Sequence, residues 1–493
     1  MPVRHFPIMR RYVAANRAVT DEYDDVALEL VEGALPPELI GALYRNGNGR
    51  FEHQGVAYDH PFDGDGMIAK FTFDGQTVRY RNRYVRTAEF VAEEAAGRML
   101  YRSFGTNLPG GIRTNALKMQ FKNAANTSVV WHGGRLLALW EGGWPHQIDP
   151  ATLDTLGRYD YDGVLKNPFG WLDSRITPEM PFSAHPKIHP TTGVLHNFGT
   201  VAGTKQRLVL YEVSPDGQAR VAQAIEMPDM TFAHDFVLTE SGHRIFFLTP
   251  VAFDMVRALA GLTSPAASIR VNRAHPTMVL VVDPQNQVHR LTTDFCFVFH
   301  FVNGYQDADG QMIVDGLMLE DFPASDAMKA YLAGDLADDQ PGARYVRYRI
   351  DLAEKTVRRE PLAHYEGELP EIHPDRTGRS YRYAWSIGRP IGALDPLFDH
   401  IVRIDVQTGQ NRHRLDPDTL PGEPIVVPRP EPSGAHPAAE DDGWLLYLRF
   451  HAPSETTDLI VADAADLQTV ARLRLPHNIP LGFHGTWLPG LGE

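Results

Sequence analysis

KFTFDGQTVRYRNRY, residues 70–84, alternates apolar and polar side chains on both sides of an Asp-Gly turn at Asp74. Period-two alternation around such a turn is the mark of a β-hairpin. The same design recurs as PHQIDPATLDTLGRY (145–159), LYEVSPDGQARVAQAI (210–225), VLVVDPQNQVHRL (279–291), YRIDLAEKTVRRE (348–360), VRIDVQTGQNRHRL (402–415) and IVADAADLQTVARL (460–473). Their turn residues are Asp149, Ser214, Asp283, Asp351, Asp405 and Asp463, and successive turns lie 54 to 75 residues apart. A hairpin is half of a four-stranded blade, so each unit has room for two more strands. Seven units predict an all-β chain folded as a seven-bladed β-propeller; a large β-sandwich or two smaller barrels is the alternative.

Composition agrees with many short strands. The 493 residues include 42 Gly and 37 Pro, an abundance of turn formers, with 43% hydrophobic and 22% charged residues, an ordinary globular balance. Length alone would suggest about three domains at ~150 residues each. No linker separates two halves, however, and one domain over 1–493 is expected. The net charge of −15 argues against nucleic-acid binding. The lone cysteine, Cys296, excludes an internal disulfide framework and fits a reducing, cytoplasmic location. The N-terminal segment has no apolar secretory run, and no stretch approaches the roughly 18 apolar residues of a spanning helix. No obligate protein partner is expected.

Two insertions interrupt the strand rhythm. Residues 85–125 contain TAEFVAEEAAGRMLYRSF, which reads as helical before a Gly/Pro-rich loop. Residues 246–270, FFLTPVAFDMVRALAGLTSPAASIR, read as an apolar helical stretch with the lone charges Asp254 and Arg257. Such a segment suits peripheral contact with a membrane, a substrate entrance, or a cover over the propeller core.

Four of the 21 histidines sit in short apolar runs: His185 in PFSAHPKI, His234 in TFAHDFVL, His300 in CFVFHFV and His484 in LGFHGTW. Singly, each reads as a hydrogen-bonded core histidine. Position in the repeat changes that reading. His234, His300 and His484 follow their preceding hairpin turns by 17 to 21 residues, and His185 does so after an additional loop. That phase is where a propeller chain crosses from an outer strand to the innermost strand of the next blade. Four imidazoles then converge on the axis, as ligands of a metal ion. Glu368 and Glu423 fall at the same phase, suited to hold the second ring nitrogens of metal-bound histidines. Imidazole suits iron, copper, zinc or nickel alike, so these residue types leave the metal open. Four protein ligands leave an octahedral ion two further positions, enough for dioxygen.

YRNGNGRF, FDGDGMIAKF, NAANTSVVWHGGRLLALWEGG, SAHPKIHPTTG, AHDFVLTE, FHFVNGY, GELPEIHP, GEPIVVPRP, EDDGW and GFHGTW, in that order along the chain, resemble the blocks of the carotenoid cleavage dioxygenase family. The resemblance covers essentially the whole chain and is greatest to the cyanobacterial apocarotenoid oxygenases. It implies a propeller with a non-haem Fe(II) ion on its axis, capped by the insertions, with His185, His234, His300 and His484 as ligands. It implies Glu141, Glu368 and Glu423 as carboxylates behind those ligands, and Thr127 as the residue crowding an open iron position. Phe104, Trp140, Phe232, Phe299 and Leu369 match or neighbour positions that line the substrate tunnel there. The implied reaction is scission by O2 of a conjugated C=C bond in an apolar apocarotenoid, near the central 15,15′ bond, giving retinal-like aldehydes.

Other readings compete with this one. Lignostilbene-type dioxygenases resemble the chain too, but carry a lysine where Trp140 stands, which counts against phenolic stilbenes. A non-catalytic propeller that binds apolar polyenes would tolerate a lost ligand, whereas the matched set is complete. A zinc or calcium hydrolase is a weaker alternative, since calcium prefers oxygen ligands. DGDG (63–66) lacks the spacing of a calcium loop and reads as a turn, and Cys296 reads as core.

Overall fold

The computed structural model describes residues 7–118, 120–227, 231–323, 325–334, 342–393, 397–430 and 439–490. All seven hairpins form, each as the outer pair of strands of one blade. The turn residue does the same work in each. Asp74 accepts the backbone N–H groups of Gln76 and Thr77, Asp351 those of Ala353 and Glu354, and Asp463 those of Ala465 and Asp466. Ser214 does this with its hydroxyl, which accepts from Gln218. A short side-chain acceptor that satisfies the turn's own amides is why Asp and Ser punctuate the repeat.

From the axis outward, blade 2 runs Ser128–His132, Arg135–Leu139, His146–Ile148 and Thr155–Arg158, and blade 3 runs Lys187–Ile188, Leu195–Val201, Arg207–Val213 and Ala219–Glu226. Blade 4 has two short inner pieces, Thr231–Phe232 and Val237–Leu238, before Arg244–Phe253, Thr277–Val282 and Val288–Thr293. Blades 5 and 6 share the long strand Thr356–Ile372. Its first part pairs with Arg344–Asp351 as the outer edge of blade 5. Its second part pairs with Tyr383–Pro390 as the inner strand of blade 6. Blade 7 is built on Ile425–Pro428, Gly443–His451, Thr456–Asp463 and Thr469–Arg474.

Blade 1 closes the ring. Its three outer strands, Ile40–Arg50, Asp65–Asp74 and Val78–Tyr84, are early in the chain, and its innermost strand is Gly485–Pro489. Glu29–Gly33 reaches back to pair with Thr469–Arg474 at the edge of blade 7. Both ends of the chain thus fasten the same junction, which protects edges that would otherwise stay unpaired.

Among the described residues no apolar cluster occupies the axis. Each pair of neighbouring blades closes on its own apolar layer, because alternate residues of a middle strand face opposite neighbours. In Gly443–His451, Leu446 and Leu448 pack toward blade 1, whereas Leu445 and Tyr447 pack toward blade 6. The axis is left free for polar side chains.

The insertion after blade 1 is helical as expected. Thr87 caps Ala88–Ala96, its hydroxyl accepting from Phe90, and Gly97 ends the helix at φ 61°. The second insertion is shorter than its sequence suggests. FFLTPVAF belongs to the strand Arg244–Phe253, whose Phe246 and Leu248 face blade 3 while Ile245 and Phe247 face blade 5. An apolar run buried on both faces carries no alternation to tell strand from helix. Helix begins only at Met255–Leu259. Asp254 is also no lone charge; it caps that helix by accepting from the Arg257 amide. The two insertions pack on one another. Leu117 N–H donates to Leu259 O, Ala266 N–H to Phe104 O, and the Arg102 guanidinium to Thr263 O.

Candidate metal centre

The four histidines arrive on four blades, each at or just before an inner strand. His185 precedes Lys187–Ile188, His234 lies between the two inner pieces of blade 4, His300 is on Phe297–Gln306, and His484 precedes Gly485–Pro489. Their rings converge. His185 lies with its ring centre 4.4 Å from His234, 4.8 Å from His484 and 5.2 Å from His300. His300 and His484 are 5.0 Å apart. The Nε2 atoms of His185 and His234 approach to 2.9 Å, and one ring nitrogen each of His185, His234 and His300 lies within 4.8 Å of the others.

Carboxylates stand behind this cluster. Glu368, on the inner strand of blade 6, is 2.5 Å from His300 Nδ1. Glu423, at the entry of blade 7, is 2.6 Å from His484 Nδ1 and is also ion-paired with buried Arg45. With Nδ1 committed outward, each ring presents Nε2 inward, and His300 Nε2 is buried with no hydrogen-bond partner. Glu141 is looser, 3.6 Å from His185 Nε2 and 3.8 Å from His234 Nδ1, and accepts from the Ala184 amide at 3.3 Å. Glu141 also enters differently, after the second strand of blade 2 rather than at an inner strand, which is why repeat phase misses it.

Burial and the neighbouring imidazoles hold His185 and His234 well below the usual histidine range. Burial also lowers His484, with Glu423 opposing. His300 is the exception: burial pulls it down, but the Glu368 charge and hydrogen bond carry it above its usual value. Burial pushes the Glu141 carboxyl up to about 8. For Glu423 burial acts upward, and the His484 and Arg45 charges outweigh it, leaving the carboxyl lowered. Imidazoles crowded this closely, with the buried His300 Nε2 left without a partner, suit a divalent first-row ion. The residues present fit the group.

Thr127 completes the pattern. It stands at the entry of the blade 2 inner strand, and its backbone carbonyl accepts the His484 amide at 3.1 Å. The seven inner-strand entries therefore carry four histidines, two glutamates and one threonine. Blade 1 can bring His484 this close because Gly47 and Gly482 touch backbone to backbone; a Cβ on Gly47 would lie 2.3 Å from the Gly482 Cα.

Among the aromatics, Phe299 stands edge-on to His234 with ring centres 5.1 Å apart. Phe232 is one layer out, against Phe297 and Phe322. Phe104 touches His60, which reaches Phe62 and through it Phe299 and Phe483. Trp140 precedes Glu141 and folds its ring over Gly142 and Gly143, and Leu369 follows Glu368 with φ 54°. Phe62, Phe297, Phe322 and Phe483 escape sequence reasoning, although Phe483 directly precedes a ligand-phase histidine.

Asp235 was also unforeseen, and it ties three blades together. Its carboxylate accepts the amides of Phe236 and Phe301 at 2.8 and 2.9 Å and pairs with Lys187 Nζ at 2.8 Å. Asp235 adjoins His234, Phe301 adjoins His300, and Lys187 is two residues beyond His185, so one buried carboxylate sets the register of three imidazoles. Below the histidines a cavity of about 540 Å³ runs along the axis, lined by residues of all seven blades. Cys296 is fully buried among apolar side chains of blades 4 and 5, as core.

The family model described as retinal pigment epithelial membrane protein (RPE65) matches residues 16–489. The chain is 33% identical to the apocarotenoid-15,15′-oxygenase of Synechocystis sp. over 475 residues, covering 94% of this chain and 93% of that protein. It is 28% identical over 517 residues to resveratrol cleavage oxygenase 1 of Aspergillus fumigatus, covering 99% and 97%. The crystal structure of the cobalt-substituted Synechocystis apocarotenoid oxygenase superimposes with a TM-score of 0.88 at 32% identity, covering 98% of this chain and 99% of that one.

Proposed function

Because this chain belongs to the RPE65/carotenoid oxygenase family, we propose that it is a non-haem Fe(II) dioxygenase that cleaves a conjugated C=C bond of an apocarotenoid, near the 15,15′ position, into two aldehydes. The observation that carries the reading is the convergence of four imidazoles from four blades, two of them held at 2.5 and 2.6 Å by a glutamate behind the ring. Residues 1–493 act as one domain in this reading, supported by the closing strand Gly485–Pro489.

His185, His234, His300 and His484 would hold the iron through Nε2, with Glu141, Glu368 and Glu423 fixing ring orientation. The chemistry the iron supplies when bound is redox activation of dioxygen beside the alkene. The chain's own task is then positioning and exclusion of water. Glu368 and Glu423 keep a proton on Nδ1, so each ring offers its other nitrogen inward. Thr127, whose carbonyl accepts the His484 amide, would stand against the ion on the side next to His484. Phe299 and Phe62 close the space beside His234 with apolar edges, and Phe104, Trp140, Phe232 and Leu369 extend a wall suited to a rigid polyene, which wants apolar contact rather than hydrogen bonds.

No helix among the described residues is long and apolar enough to cross a membrane. The paired insertions do expose Ile112, Leu117, Val256 and Leu262, which supports peripheral contact with the lipid that dissolves such substrates; Leu117→Asp with Val256→Asp reduces liposome co-sedimentation if so. The deciding experiment is metal analysis of protein from iron-replete cells, followed by incubation with apocarotenals of several lengths and with resveratrol. One iron per chain and aldehydes from the polyenes are expected. Absence of iron overturns the oxygenase reading, and cleavage of resveratrol alone replaces the substrate.

A further inference from the structure

The histidine ring separates two unlike halves of the axis. Residues immediately before the imidazoles are apolar: Phe483 precedes His484, Phe299 precedes His300, and Phe232 lies two residues before His234. With Phe62 between Phe299 and Phe483, they form a continuous aromatic layer on the side of the insertions. Residues that follow the ligands line the axial cavity instead, where charged and polar side chains stand among Val129, Val130, Ile188 and Phe301. Lys187, His189, Glu371 and Thr377 face it, together with Asp235 and Glu423. The Lys187 charge is matched by Asp235 at 2.8 Å, Glu423 is paired with Arg45, and burial with the nearby Glu423 charge pushes the Glu371 carboxyl well above its ordinary range, so the well offers polar groups without a net acidic charge. The cavity reaches His185, His300 and His484 at one end and ends at partly exposed Ile188, Pro374 and Thr377 at the other.

A hydrated divalent cation cannot cross an aromatic layer without losing its water, at a cost no apolar contact returns. It can move along a wide well that opens to solvent and carries carboxyl, imidazole and hydroxyl groups able to replace lost water ligands. We propose that the axial well is the loading port of the metal centre: the ion enters between Ile188 and Thr377, passes Glu371, and reaches the imidazoles from the side opposite the organic substrate. This rests on the metal-centre reading above. It assigns the two faces of one ring to two kinds of traffic, ion and water on one side, polyene on the other.

The test uses full-length apoprotein, prepared by chelation, and cobalt(II) chloride as the probe, with uptake followed by visible absorption in a stopped-flow instrument. Thr377→Trp, which plugs the mouth, is expected to slow uptake by about tenfold or more, as loss of a polar path demands. Final cobalt stoichiometry and cleavage by the iron-loaded enzyme stay at wild-type levels. Phe104→Trp, on the substrate side, leaves uptake unchanged. Should Thr377→Trp fail to fold by circular dichroism, Ile188→Trp gives the same block from blade 3. Wild-type uptake in the mouth variant overturns the port, and slowed uptake only in Phe104→Trp relocates entry to the substrate side and overturns it equally. If wild-type apoprotein takes up no cobalt at all, the metal-centre reading itself falls, and the port with it.

Discussion

Each blade uses a polar residue twice, once at its outer hairpin turn and once where its inner strand begins. Outside, six aspartates and one serine satisfy the amides of their own turn, in or near solvent. Inside, four histidines, two glutamates and a threonine stand at equivalent strand entries, mostly buried, and bond to residues of other blades. The repeat is the same; the partner differs. A local partner makes a residue a piece of the scaffold, replaceable by any short acceptor. A partner on another blade, 61 positions away for His484 with Glu423 and 66 for Asp235 with Phe301, makes it part of an assembly that works only as a whole.

Breaking an inner position costs function most. His234→Ala is expected to lose stoichiometric iron and to lower cleavage by at least about a hundredfold, the upper range for disturbing a metal ligand's surroundings, as read by metal analysis and product yield. Full activity in that variant ends the ligand assignment. Glu368→Gln and Glu423→Gln keep the rings but weaken their orientation, and a loss of about 10- to 100-fold in iron affinity or turnover is expected. Glu423→Gln is also expected to lower thermal stability more, because it strands buried Arg45.

An outer position should behave in the opposite way. Asp463→Ala removes two turn hydrogen bonds and the pairing with Arg429. A stability loss of about 1 kcal/mol is expected by denaturant titration, with turnover per iron unchanged; a large activity loss would erase the distinction between the two rings. The smallest effect is one of pH. Backbone hydrogen bonds lower the carboxyls of Asp74, Asp149 and Asp351 below their ordinary values. Their contribution is therefore complete above the unfolded value, about pH 4, and drains away as pH falls through the lower folded values. Replacing the three with asparagine is expected to flatten the loss of stability in that window, measured by thermal melts from about pH 5 to pH 2.

The outer ring was legible in the chain itself, because a hairpin is local: alternation on either side of Asp74 or Asp283 needs no distant contact to be read. Phase then carried the reading inward to His234, His300, His484, Glu368 and Glu423. It missed Glu141, which enters from a loop after a second strand, and Thr127, whose place at the seventh entry is plain only once blade 2 is seen. The run FFLTPVAF misled because a strand buried on both faces shows no period. Asp235 and Lys187 escaped because an ion pair between blades leaves no spacing to detect.

By itself, then, the order of residues determined seven repeats, their turns and the kinds of side chain brought to the axis, since these depend on contacts within a few positions. The tertiary structure alone decided which nitrogen each histidine turns inward, which carboxylate stands behind it, and that the axis is aromatic on one side and mixed polar and apolar on the other. Those depend on distances between strands of different blades, set by the ring closure of Gly485–Pro489 against Ile40–Arg50 and by the apolar layers between blades, and no local pattern encodes them.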